Sequence, residues 1–156
     1  MDRRLGYLKT LSREQLMKRL TELHIEVDAI NKIINNQKSD LEIIAFIKDI
    51  VCEGERITKY ALLSKSHKRE LVTARFMCCQ LIRDYTGASL NKIAVHMNKA
   101  HHTTILHAFN TFKSLVETNS PEIKNYKDYE RKVRAYVSDR RSEEMSGVAT
   151  GPSNTN

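Results

Sequence analysis

Tryptophan is absent, proline occurs twice and glycine five times in 156 residues. So few turn-formers exclude a fold of many short strands and tight hairpins, and an all-α protein is expected. Cysteine is scarce too: Cys52 stands alone and Cys78 and Cys79 are neighbours, with no CxxC spacing and no paired framework. That pattern speaks against a disulfide-stapled secreted scaffold and for a reduced compartment, the cytoplasm. No apolar run approaches the ~18 residues a membrane span requires, and the opening Met1-Asp2-Arg3-Arg4-Leu5 leads into no apolar signal core. A GxxxxGK run followed by Ser or Thr is missing, as is any other glycine-rich phosphate loop, so neither a nucleotide nor another cofactor is expected.

What the chain has in excess is positive charge. Lys and Arg number 26 against 19 Asp and Glu, for a net charge of +7, which favours a polyanionic partner. The length suits one globular domain plus an appended arm.

From Leu16 to Ile34 the apolar positions Leu16, Leu20, Leu23, Val27, Ile30 and Ile34 alternate steps of four and three. This is a heptad seam with mostly β-branched residues at a and mostly Leu at d, a pattern that favours parallel pairs. A homodimer through this N-terminal helix, residues 1–38, is one expectation. A single stripe laid on its own domain is the other, because a 3.5 period and a 3.6 period look alike over so short a span.

Residues 39–138 read as a helical domain. Ser39 or Asp40 is expected to cap a helix through Leu41, Ile44, Ile47 and Val51, with Gly54 ending it. Thr58 caps a short helix, Lys59 to Leu63, and Ser64 to Arg69 form a basic loop. Glu70 to Tyr85 carries the core stripe Leu71, Ala74, Cys78, Leu81, Ile82 and Tyr85, with Gly87 as its stop. Ser89 caps the next helix, whose Leu90, Ile93, Ala94 and Met97 face inward, and after a four-residue connection another helix runs to about Asn119. Two helices joined so tightly are a helix-turn-helix. Pro121 is expected to open a last helix reaching about Val137, its outer face basic, with seven cations against three acids between Lys124 and Arg141. Residues 139–156 are expected to be disordered.

The chemistry concentrates in Lys99-Ala100-His101-His102-Thr103-Thr104-Ile105-Leu106-His107-Ala108-Phe109. On a helix starting near His102, Ile105, Ala108, Phe109, Phe112 and Val116 make a buried stripe and leave Thr103, Thr104, His107, Asn110 and Thr111 outside. Hydroxyls, Thr methyls and imidazoles suit base edges in a major groove, and the helix start offers free N–H groups to a phosphate. A merely solvated face is usually laced with Glu and Lys, yet no Asp, Glu, Lys or Arg lies between His101 and Thr111. Lys92 and Lys99 flank this face as backbone anchors. His96, His101, His102 and His107 with Cys78 and Cys79 raise a metal site as a rival, but no HExxH, CxxC or carboxylate completes a set, and no metal is expected.

Leu62-Leu63-Ser64-Lys65, Ala74-Arg75, Met77, Ser89-Leu90, Ile93 and above all His102-Thr103-Thr104-Ile105-Leu106-His107-Ala108 resemble the C-terminal DNA-binding domain of the bacterial replication initiator DnaA. The resemblance implies a Trp-repressor-like helix-turn-helix reading the major groove, with a basic loop in the adjacent minor groove. By position it implies base or groove contacts from His102, Thr103 and Thr104, a nearby contact from His107, and Arg75 and Arg83 facing the DNA backbone. Lys65, His67, Lys68 and Arg69 belong to the loop, and Ser89, Asn91, Lys92, Lys99 and His101 complete the candidate set. The family's acidic residue before His-Thr-Thr is His101 here, its minor-groove arginine falls at His67, and its turn glycines are Asn98 and Lys99, of which Asn98 can take a left-handed conformation. The target sequence should differ accordingly.

The expected function is therefore non-enzymatic: sequence-preferring binding of double-stranded DNA in regulation of transcription or of replication initiation. The alternative is a helical adaptor that grips a replication or transcription protein through its N-terminal seam.

Overall fold

The computed structural model describes residues 3–146, and these contain helices and no strand. In order they are α1 (Arg3–Leu8), α2 (Arg13–Glu55), α3 (Lys59–Leu63), α4 (Arg69–Tyr85), α5 (Leu90–His96), α6 (His102–Glu117), a 3-10 turn (Pro121–Ile123) and α7 (Tyr126–Ser146). The chain divides into two units between Ser39 and Asp40.

In the first unit α1 is followed by a turn, and Ser12 starts α2 with a capping box: the Ser12 N–H donates to Gln15 Oε1 and the Gln15 N–H to Ser12 Oγ. The seam residues Leu16, Leu20, Leu23, Val27, Ile30 and Ile34 are each between 39 and 55% exposed.

The helix break expected at Ser39 or Asp40 does not occur. Residues 35–42, Asn-Asn-Gln-Lys-Ser-Asp-Leu-Glu, contain neither Gly nor Pro, and α2 runs through them. Asp40 accepts a hydrogen bond from the Gly87 N–H (3.2 Å) in place of capping a helix.

The second unit is built around α4, which packs on α3, α5, α6, the 3-10 turn and α7. Its stripe Ala74, Met77, Cys78, Leu81 and Ile82 meets Ile93 and Met97 next to α5, Ile105, Phe109 and Phe112 of α6, and Val133 and Val137 of α7, and Leu71 is buried as well. Ile43, Ile44, Ile47 and Val51 of α2 complete the same core, and Phe46 stacks on Tyr136 with ring centroids 4.0 Å apart. Burial pushes the Cys79 thiol up to about 12 and that of Cys78 well above the usual range, so both behave as apolar core groups.

Helix ends follow the expected caps in part. Thr58 Oγ1 accepts from the Ala61 N–H and Ser89 Oγ from the Lys92 N–H. The glycines do not act as stops. Arg56, Asn98 and Asn119 take φ of 54, 54 and 52°, and each closes a Schellman motif, for example Lys99 N–H to Ala94 O (2.8 Å) with Asn98 N–H to Val95 O (3.1 Å). Gly54 is instead the place where Tyr129 packs, since a Cβ there would collide with the Tyr129 hydroxyl, which donates to Glu55 Oε1 at 2.7 Å. Gly87 follows α4 without a left-handed φ.

Three further expectations are corrected. Pro121 opens the 3-10 turn, and α7 starts only at Tyr126. Val116 is 49% exposed, because α6 has passed the packed face of α4 by its last turn. The expected disordered stretch from 139 is helical to Ser146: Arg140 pairs with Glu42 and lies over the Tyr136 ring, which anchors the last turns. Residues 147–156 of that stretch lie outside the described residues.

Candidate nucleic-acid interface

The helix-turn-helix is α5, the turn at 97–101 and α6. Ser89 fixes the start of α5, and Lys48 Nζ donates to the His96 carbonyl at its end (2.6 Å). The short α5 is thus closed at its C-terminus by a side chain from α2, half-buried and with its pKa lowered by desolvation. Asn98 turns the chain in the left-handed region, and its Nδ2 donates to Leu63 O (3.1 Å), tying the turn to the end of α3. Replacing Asn98 with valine removes that bond and puts a β-branched residue at positive φ; stability should fall by about 2 kcal/mol in a urea titration, whereas Asn98→Gly stays within about 1.

His101 occupies the N-cap position of α6 without making a side-chain cap. The start of α6 thus lacks a side-chain cap, the Thr104 N–H donates to the His101 carbonyl (3.2 Å), and the side chains of His101, His102, Thr103 and Thr104 are exposed. Ile105, Ala108, Phe109 and Phe112 point into the core, and His107 and Asn110 lie outside, as the helical period requires. His107 sits edge-on to Phe76 (6.4 Å between centroids) and 3.5 Å from the Thr111 hydroxyl.

Between the start of α6 and the loop at 64–68 lies a cleft of about 300 Å³. Its mouth gathers Lys65, His67, Lys99, Thr104 and His107, and Phe76, Met97 and Ile105 belong to its apolar walls. No Asp or Glu lines it. Lys99 is partly desolvated and lies near enough to Arg75 to feel its charge, and both effects lower its pKa. Residues far apart in sequence are thus brought to one positive, acid-free rim.

Other candidates separate from this group. Lys68 is exposed at the N-cap of α4, and Ser89, Asn91 and Lys92 are exposed at the start of α5. Arg69 pairs with Glu122, and that pairing, helped by the Thr73 hydroxyl, holds the Glu122 carboxyl below its usual range. Arg83 is exposed, with its guanidinium 4.6 Å from the Phe109 ring centroid. Arg75 also lines the cleft but departs from expectation most: it is 6% exposed and its N–H donors go to the protein's own carbonyls in place of facing outward. The basic face of α7 is also reduced, because Arg131 and Lys132 pair with Asp128, Arg134 with Glu130 and Arg140 with Glu42.

One residue and one side-chain contact at this surface went unnoticed in the sequence. Tyr60 is 87% exposed and shares a shallow recess with Leu63, Lys65 and Asn98. Its position on a five-residue helix just before a basic loop was the available signal. The Asn98 amide is the second, since only the fold reveals its bond to Leu63.

Comparison with known proteins places this geometry. Residues 44–111 match the family described as the bacterial dnaA protein helix-turn-helix. The chain is similar to proteins named chromosomal replication initiator protein DnaA: 37% identical over 90 residues to that of Synechococcus sp., covering 57% of this chain and 19% of the relative. It is 26% identical over 126 residues to that of Chlorobaculum tepidum (81% and 25% covered), and 28% identical over 109 residues to that of Bacteroides thetaiotaomicron (70% and 23%). The match thus spans about a fifth to a quarter of these relatives' lengths. A crystal structure described as that of a DNA replication initiation factor shares the fold, with a TM-score of 0.60 and 16% identity over 86% of this chain and 45% of that one. Over residues 44–111, therefore, the chain is similar to the bacterial dnaA protein helix-turn-helix family.

Proposed function

We propose that this chain binds double-stranded DNA with a sequence preference and acts in replication initiation or in transcription regulation. The observation that carries the reading is the acid-free rim on which Lys65, His67, Lys99, Thr104 and His107 meet beside the open start of α6. α6 enters the major groove with His102, Thr103 and Thr104 toward base edges, and the loop with Lys65, His67 and Lys68 reaches the neighbouring minor groove. Lys92 and Lys99 take phosphates. The family match and the names of the relatives, all replication initiators, favour the same reading.

We also propose that two copies pair through the seam Leu16 to Ile34, whose half-exposed apolar stripe is supported by its heptad spacing. A dimer carries two reading units and suits paired half-sites.

The test is binding to a duplex selected from a random library and to an unselected duplex across a salt series. Affinity should fall with salt on both, since neutralised phosphates release counterions. Thr104→Ala should cost about 1 to 3 kcal/mol on the selected duplex with little change on the other, while Lys99→Ala weakens both and reduces the salt slope by about 1. Equal losses from Thr104→Ala on the two duplexes would remove its base-reading role, and salt-independent association would remove DNA as the ligand.

A further inference from the structure

The loop between α3 and α4 has no regular structure of its own, yet carbonyl oxygens from the last turn of α3 into the loop converge on one side chain. Arg75 donates from Nε to Leu62 O (2.6 Å), from Nη1 to Ser66 O (2.6 Å), and from Nη2 to Ala61 O (3.2 Å) and Ser64 O (2.8 Å). Asn98 takes another carbonyl of that run, at Leu63. One side chain from α4 and one from the helix-turn-helix thus hold the stretch that leads into Lys65, His67 and Lys68. Among the described residues no carboxylate pairs with the Arg75 guanidinium, although it is almost wholly buried. A buried cation whose partners are carbonyls and one hydroxyl is expensive to place, and a planar fork of five N–H donors is the one side chain able to gather several carbonyls at fixed angles.

We propose that Arg75 is a positioning residue: it touches no nucleic acid, and it fixes the loop carrying Lys65, His67 and Lys68 at a set distance from the start of α6. Loop and helix then meet one duplex as a single rigid surface, with Asn98 bracing the same loop from the turn. This rests on the DNA-binding reading above. Lysine cannot substitute, because one ammonium on a flexible stem does not span carbonyls from Ala61 to Ser66.

The test is a double-mutant cycle on the full chain with a selected duplex. In the native background the loop variant His67→Ala/Lys68→Ala should lose affinity about tenfold. In an Arg75→Lys background the same pair should lose less than about twofold, because the loop is already displaced. Additive losses would mean that Arg75 contacts phosphate independently of the loop, and would overturn the proposal. A second measurement uses only native protein and so holds even if Arg75→Lys fails to fold: the Arg75 Nε–Hε resonance in ¹⁵N spectra. It should be protected from solvent exchange and keep its shift when duplex is added. A duplex-induced shift at Arg75, or rapid exchange in the free protein, would overturn the proposal. Native protein that binds no duplex would overturn the DNA reading itself, a result seen before any variant is made.

Discussion

Gly54→Ala should destabilise the second unit by about 2 to 3 kcal/mol, although alanine is the better helix former by about 1 kcal/mol. The steric term wins because Gly54 lies in the last turn of α2 directly under Tyr129, a residue 2% exposed. Any Cβ at 54 displaces the Tyr129 ring, and with it go the hydroxyl's bond to Glu55 and the bond from Asn125 Nδ2 to the same carboxylate. Those bonds tie the end of α2 to the start of α7, and burial together with the Glu55 carboxylate raises the Tyr129 pKa, so the hydroxyl stays a donor throughout the neutral range. Chemical denaturation checks the sign. Native protein should unfold at a clearly higher denaturant concentration than the variant. In a Tyr129→Ala background the obstacle is gone, and Gly54→Ala should then stabilise by about 0.5 to 1 kcal/mol from helix propensity alone. A stabilising Gly54→Ala in the native background would show that Tyr129 does not occupy the place described.

Leu23→Asp should separate paired copies and lower affinity for a duplex with two half-sites by about 100-fold, while leaving affinity for a single half-site within about twofold. Leu23 is a d position in the middle of the seam, and two carboxylates facing each other in an apolar layer cannot be solvated or paired. The expectation depends on the proposed dimer, which sedimentation tests directly: native protein as a dimer, the variant as a monomer. Because residue 23 is far from 44–111 in sequence, a loss on single half-sites as large as on paired ones would contradict pairing as the seam's role.

Where a residue's surroundings are set by neighbours within a turn or two, the sequence could be read directly. The α4 stripe, the inward and outward faces of α6 as far as Phe112, the Thr58 and Ser89 caps and the left-handed Asn98 all follow from local spacing and local chemistry. What escaped depends on partners far along the chain. Gly54 looked like a helix stop because its true reason, Tyr129, lies 75 residues on. Arg75 was placed outside because the resemblance implied a contact to the DNA backbone, although 71, 75, 78 and 82 step by four, three and four along the buried stripe. The missing break near Asp40 has another origin: polar residues suggested a cap, but with neither Gly nor Pro nothing interrupts the helix. For the interface, the chain order hid that Lys65 and His67 share a cleft with Thr104 and His107, since α4 and the turn before α6 bring loop and helix together.

Among the described residues three helices end on side-chain-bearing residues in a conformation that L-amino acids enter reluctantly, and one of these is an arginine. Asparagine tolerates that backbone well and arginine less so, which leaves an untapped reserve of about 1 kcal/mol at position 56. The domain has therefore not been driven to its most durable sequence.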